Sequence, residues 1–170
     1  MDFVKKNWVK LVAIAFLVTI ATLAMIALIN AFIGSGATEL AKHQESQLKA
    51  GAFTYLGVLI SVTAMIAFIV IKMLGKDKKI ASIVLIAGAV VATIMIIVAI
   101  SVGSDFLKNL SDTITLREAQ NKLGLVSNEM VNAAKTAYYT QIAQTITFMI
   151  VFGLAPIVFG IRKLCKKCEG

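Results

Sequence analysis

The stretch Ile80–Val102 reads IASIVLIAGAVVATIMIIVAISV. Its 23 residues include no Asp, Glu, Lys, Arg or His. A helix needs about 20 apolar residues to cross roughly 30 Å of hydrocarbon, and it satisfies its backbone polar groups within itself. Spanning β-strands would alternate over about ten residues with a polar face. Ile80–Val102 is apolar on all sides, so it reads as a transmembrane helix.

Three more stretches have the same character: 11–33, 53–71 and 142–161, of 23, 19 and 20 residues. Hydrophobic residues make up 59% of the 170-residue chain and charged residues 15%. Soluble proteins average roughly 45–50% and about 25%, and a globule of this size hides only about two thirds of its surface. The expected fold class is therefore all-α: an integral membrane four-helix (tetraspan) protein, one domain over 1–170. Lys5, Lys6 and Lys10 could open a signal peptide. The run that follows exceeds the 7–15 residues of an h-region, and Asn30-Ala31-Phe32-Ile33 offers no small-residue cleavage site, so a retained helix is expected.

Charge sets the expected orientation. Lys5, Lys6, Lys10, Lys72, Lys76, Lys78, Lys79, Arg162, Lys163, Lys166 and Lys167 fall on one side with only Asp2, Asp77 and Glu169, so the whole net charge of +8 lies there. The other side balances six basic residues with six acidic ones. The positive-inside rule makes both termini, the turn 72–79 and the tail 162–170 cytoplasmic, and 34–52 and 103–141 outer loops. Anionic lipid headgroups are the expected partners of Lys5, Lys6, Lys76, Lys78, Lys79, Arg162 and Lys163. With the charge in three juxtamembrane clusters and no aromatic interleaving, nucleic acid is not an expected partner. The Ile- and Lys-rich, proline-poor style suggests a prokaryotic plasma membrane.

In the first outer segment, Thr38 is a suitable N-cap for a helix-forming run. In the second, Leu107, Leu110 and Ile114 recur at helical spacing and Gly124 breaks the pattern. Ser127 can then cap a helix with Met130, Ala134, Ala137 and Gln141 on one face. The third and fourth spans are expected to continue outside the bilayer as a helical hairpin turning near Gly124.

The spans hold no Asp, Glu, His, Lys or Arg, which argues against proton-coupled transport, pumping and intramembrane hydrolysis. No phosphate-loop, dinucleotide or zinc-protease motif occurs. The single histidine, His43, sits in a polar run and reads as a surface residue. The chain is therefore expected to be no enzyme, with no catalytic residue, metal site or cofactor. Cys165 and Cys168 form a C-x-x-C on the cytoplasmic side, where disulfides are rare. They read as reduced and incidental, with a lipid anchor, a shared metal and a redox pair as alternatives. Asn109-Leu110-Ser111 reads as a chance sequon match. Four-span families with cysteine-paired outer loops are set aside, because neither cysteine lies in an outer segment.

Polar residues inside or near the spans are more informative. Thr136, Thr140, Gln144 and Thr147 form one stripe of the fourth helix, and Asn30 on the first should match Gln144 in depth. The stripe reads as hydrogen-bonding contact between helices, or else as the lining of a pore. Small residues that allow close helix approach are Ala24, Ala27 and Ala31 on the first span, Gly88, Ala92 and Ala99 on the third, and Gly153 and Gly160 on the fourth. Pro156, the only proline, should kink the fourth span and free a carbonyl near Phe152. The functional expectation is a homo-oligomeric membrane assembly, structural or pore-forming. The alternative is an accessory or sensory subunit that docks other membrane proteins through its outer hairpin.

Overall fold

The computed structural model describes residues 2–35, 42–75 and 77–165, and among these every regular element is helical. The helices are α1 (Asp2–Ser35), α2 (Lys42–Met73), α3 (Lys78–Val102), α4 (Ser104–Lys122), α5 (Asn128–Phe148) and α6 (Ala155–Cys165). A π-helical turn, Met149–Leu154, joins α5 to α6. Four helical stretches are long and apolar enough to cross a membrane: Asn7–Gly34, Gln44–Met73, Lys78–Val102 and Asn128–Cys165.

The bundle is built around α2. On one side α2 meets α1, on the other α3, and α6 packs mainly against α3. The α3 face steps alternately by four and three residues, three of its five positions being alanine: Leu85, Ala89, Ala92, Ile96 and Ala99 are all buried. That spacing is the seam of a left-handed helix pair, and alanine at its positions lets the backbones approach closely. Gly88 lies beside the seam, where a Cβ would overlap that of Ala64. Opposite them α2 sets Gly57, Ala64 and Phe68, while its Val58 and Val62 are buried against Ala24 of α1. Between α6 and α3, a Cβ on Gly160 would come within 2.5 Å of Ile86 Cγ1, so glycine is what permits this contact.

Two turns are fixed by local chemistry. After α2, Gly75 takes a φ of +67°, and the Asp77 carboxylate accepts a 2.9 Å hydrogen bond from Lys79 N–H to start α3. After α4, Gly124 takes a φ of +72°. Leu125 N–H donates to Gln120 C=O and Gly124 N–H to Asn121 C=O, which is a Schellman stop. The Asn121 amide donates to Val126 C=O at 2.9 Å, and the Ser127 hydroxyl accepts from Met130 N–H to start α5. α4 and α5 thus form a hairpin turning at Gly124, joined by a Glu118–Lys135 ion pair at 2.7 Å.

The structure departs from the sequence reading in four places. The helix-forming run expected as a separate outer segment is continuous with the second span, residues 42–52 being the first turns of α2, while Thr38 lies outside the described residues. α3 does not run on into the hairpin: it stops at Gly103, and α4 is a separate helix. The buried residue of α5 is Val131, one position from the expected Met130, which is 49% exposed. One residue is about 100° of helix, enough to move a side chain from seam to surface. Pro156 is preceded by a π turn, in which Ala155 N–H bonds Ile150 C=O five residues back. A proline ring collides with the carbonyl four residues earlier, here Phe152, and the wider turn accommodates it.

Candidate functional site: a polar cavity at the hairpin end of the bundle

The break at Gly103 builds the site. A helix end leaves carbonyls without partners, and Ser46, reaching across from α2, donates its hydroxyl to Val102 C=O at 2.6 Å. Ser46 is buried, and Gly103 packs so near Ala50 that an added Cβ would sit at 3.0 Å. With the chain turned there, Phe106 and Leu107 at the start of α4 come to line a cavity of about 660 Å³.

Its other walls come from four more helices. α1 contributes Ala27, Asn30 and Ala31, α2 contributes Gln47, Leu48, Thr54 and Tyr55, α3 contributes Ala99 and Ile100, and α5 contributes Gln141, Gln144 and Thr145. At the inner end, Phe148 lies edge-on to Tyr55 with ring centroids 6.5 Å apart. Below that, Phe148 and Phe152 pack on the buried cluster of Ala24, Val58 and Val62. The hydroxyls of Thr54 and Thr145 donate to carbonyls four residues back, at 2.9 Å each. Among the described residues, the amides of Asn30, Gln47, Gln141 and Gln144 make no hydrogen bond, and no charged side chain lines the cavity.

Asn30 and Gln144, paired by depth in the sequence, thus border one cavity from different helices. Thr136, Thr140 and Thr147 do not join them. They lie on the exposed surface of α5, where Thr147 hydroxyl bonds Ala143 C=O at 2.8 Å. In a single chain this stripe faces outward, and it could line a channel only where several copies surround one axis. Gln47, Thr54 and Tyr55 have no counterpart in the sequence reading. Their signal was the i, i+7, i+8 spacing, visible only once α2 is extended back to Lys42.

The small residues lie at contacts: Ala24, Ala31 and Ala92 are buried, Ala27 borders the cavity, and Gly153 packs on Thr93. At the opposite end of the bundle, Lys78, Lys79, Arg162 and Lys163 are exposed. Lys72 and Lys163 sit over the rings of Phe68 and Phe159, at 4.4 and 5.4 Å from the centroids. Lys76 and Cys168 lie outside the described residues, and only the helical backbone is described for Lys5 and Lys6. Cys165 is an exposed free thiol. No three of His, Cys, Asp and Glu gather as metal ligands among the described residues. Comparison with protein families, curated proteins and solved structures finds no match.

Proposed function

We propose that the chain is a non-catalytic, four-span integral membrane protein that self-associates, with both termini cytoplasmic and the α4–α5 hairpin on the opposite, outer side. The observation that carries this reading is α4, a 19-residue helix that buries none of its residues. Helices of this length draw most of their stability from packing an apolar face. On α4 and in the turn that follows it, Leu116, Leu123 and Leu125 are 59%, 74% and 70% exposed. A second copy suits that surface, because residues 103–141 carry four basic and four acidic side chains and two hairpins can meet without net repulsion. The cytoplasmic clusters, by contrast, suit anionic headgroups.

Light scattering of the detergent-solubilised protein tests the assembly. A defined homo-oligomer is expected, and Leu123→Glu with Leu125→Glu should dissociate it. A monomer that keeps its fold would overturn self-association and favour docking of a different membrane subunit on the same leucines. For orientation, a cysteine at Asp112 should label from outside intact cells while Cys165 stays protected, and the reverse pattern would invert the topology.

A further inference from the structure

The polar cavity lies where uncharged helix gives way to charged helix. On its outer side come Glu45, Lys49, Asp105, Lys108 and Lys135. Going inward, the next charges on the same helices are Lys10, Lys72, Lys79 and Arg162, near the far end of each span. On the four-span reading, the cavity therefore sits at the outer membrane–water boundary. It also opens sideways: Asn30 and Gln144 are exposed, and α1 packs on α2 while the fourth span packs mainly on α3, so the two do not close on each other.

We propose that this cavity binds a lipid of the outer leaflet with an uncharged, hydroxyl-bearing head, of the diacylglycerol or glycolipid class. This rests on the four-span reading and is independent of self-association. Each amide offers two donors and an acceptor without a formal charge. Hydroxyls also donate and accept, so a head rich in them can satisfy Asn30, Gln47, Gln141 and Gln144 together, with the Tyr55 hydroxyl beside them. An anionic phosphate would call for Arg or Lys, and no described side chain of either type lines the cavity. The apolar walls, Ile100, Phe106, Ile142, Ile146 and Phe148, suit a glycerol backbone and the first part of an acyl chain. An amide that faces hydrocarbon with no partner is costly, so an occupant that hydrogen-bonds displaces plain acyl chains. At about 660 Å³ the cavity falls within the range of roughly 300–1,000 Å³ usual for small-ligand sites.

Native mass spectrometry of the full chain in neutral detergent reads the binding directly. The probes are a diacylglycerol, a monoglycosyl diacylglycerol and phosphatidylglycerol, added separately and in competition. The neutral lipids should be retained at least about tenfold better than phosphatidylglycerol. Asn30→Leu and Gln144→Leu should each lower that retention about fivefold, the loss of one hydrogen bond. Thr63→Val, on an exposed part of α2 away from the cavity, should leave it unchanged. Equal retention of phosphatidylglycerol, or unaltered retention in both amide variants, would overturn the proposal. If either variant loses helicity, a photoactivatable diacylglycerol on the unaltered chain decides instead: adducts should map to residues lining the cavity, among them the end of α1 and the last two turns of α5, and adducts away from the cavity refute the site. A Gln144→Cys chain that disulfide-links to another copy, with no lipid retained, would put a second chain in the cavity and refute it as well. The spectrum also reports oligomer mass, so loss of the assembly with lipid still bound counts only against self-association.

Discussion

Ser61 offers a test in which removing a polar group should stabilise the protein. It lies in the middle of α2, is 0% exposed, and its hydroxyl has no hydrogen-bond partner among the described residues. Thr54, Thr63 and Thr93 behave differently, each bonding the carbonyl four residues back at 2.8–2.9 Å. The equivalent acceptor for Ser61 is Gly57 C=O. In a separated helix the hydroxyl is free to rotate onto that carbonyl, whereas the packed bundle holds it unpaired. A buried unsatisfied hydroxyl costs about 1–3 kcal/mol. Ser61→Ala removes that cost and sacrifices the contacts of one oxygen, each on the order of 0.1–0.2 kcal/mol. The net expectation is a gain of about 1 kcal/mol, read as reversible unfolding by SDS in mixed micelles. Ser61→Val should go the other way, because a site with no free surface must expand for an extra methyl, at about 1–3 kcal/mol. Destabilisation by Ser61→Ala of more than about 0.5 kcal/mol would refute the reasoning and mean that the hydroxyl is paired in the working protein.

Gly124→Ala should loosen the hairpin by about 1 kcal/mol. No atom lies within 4 Å of the added Cβ, so the whole effect comes from the φ of +72°. Hydrogen exchange across 118–130 should accelerate, and less so for Gly124→Asn. Gly88→Val should separate α2 from α3 by forcing a side chain onto Ala64, with a loss of more than about 2 kcal/mol in the same micelle assay. Acid should open the hairpin before the spans. The hydrogen bond and the charge of Lys135 hold the Glu118 carboxyl below its ordinary value. The pairing is therefore fully present above the ordinary carboxylate range and lost as pH falls through the lowered value, so exchange at 118–135 should rise there, and Glu118→Gln should abolish that pH dependence.

The four apolar helices were readable in the sequence because hydrocarbon imposes a crude, long-range rule: no charge for about twenty residues. What the sequence could not supply was the placement of breaks and faces that depend on neighbours. Nothing local stops α3 at Gly103, whose φ of −80° any residue can adopt. The stop is stabilised from outside, by the Ser46 hydroxyl on Val102 C=O and by the close pass of Ala50. The site divides in the same way. Depth along a helix is simple arithmetic, and it associated Asn30 with Gln144 across 114 positions. Rotation about the axis is not fixed by depth, so Thr136, Thr140 and Thr147 fall on the outer surface although they share a stripe with Gln144.

The π turn links the proline to the cavity. In an uninterrupted α-helix, Thr145 and Gly153 would point about 80° apart, at 100° per residue. One extra residue in the turn removes roughly 100° of that rotation and brings the two directions within about 20°. Gly153 is held on α3, where its missing side chain makes room for Thr93 Oγ1, and Gly160 is held by Ile86 two turns later. With the C-terminal half of the fourth span anchored by these contacts, the width of Met149–Leu154 fixes which face its N-terminal half presents. That face carries Gln141 and Thr145 into the cavity. A regular helix through the same anchors would rotate both away and bring other side chains of α5 round in their place. Pro156 favours the wider turn because a regular one would set its ring against Phe152 C=O. A single proline toward the C-terminal end of the fourth span thus helps to set the chemistry of a site eleven to fifteen positions away.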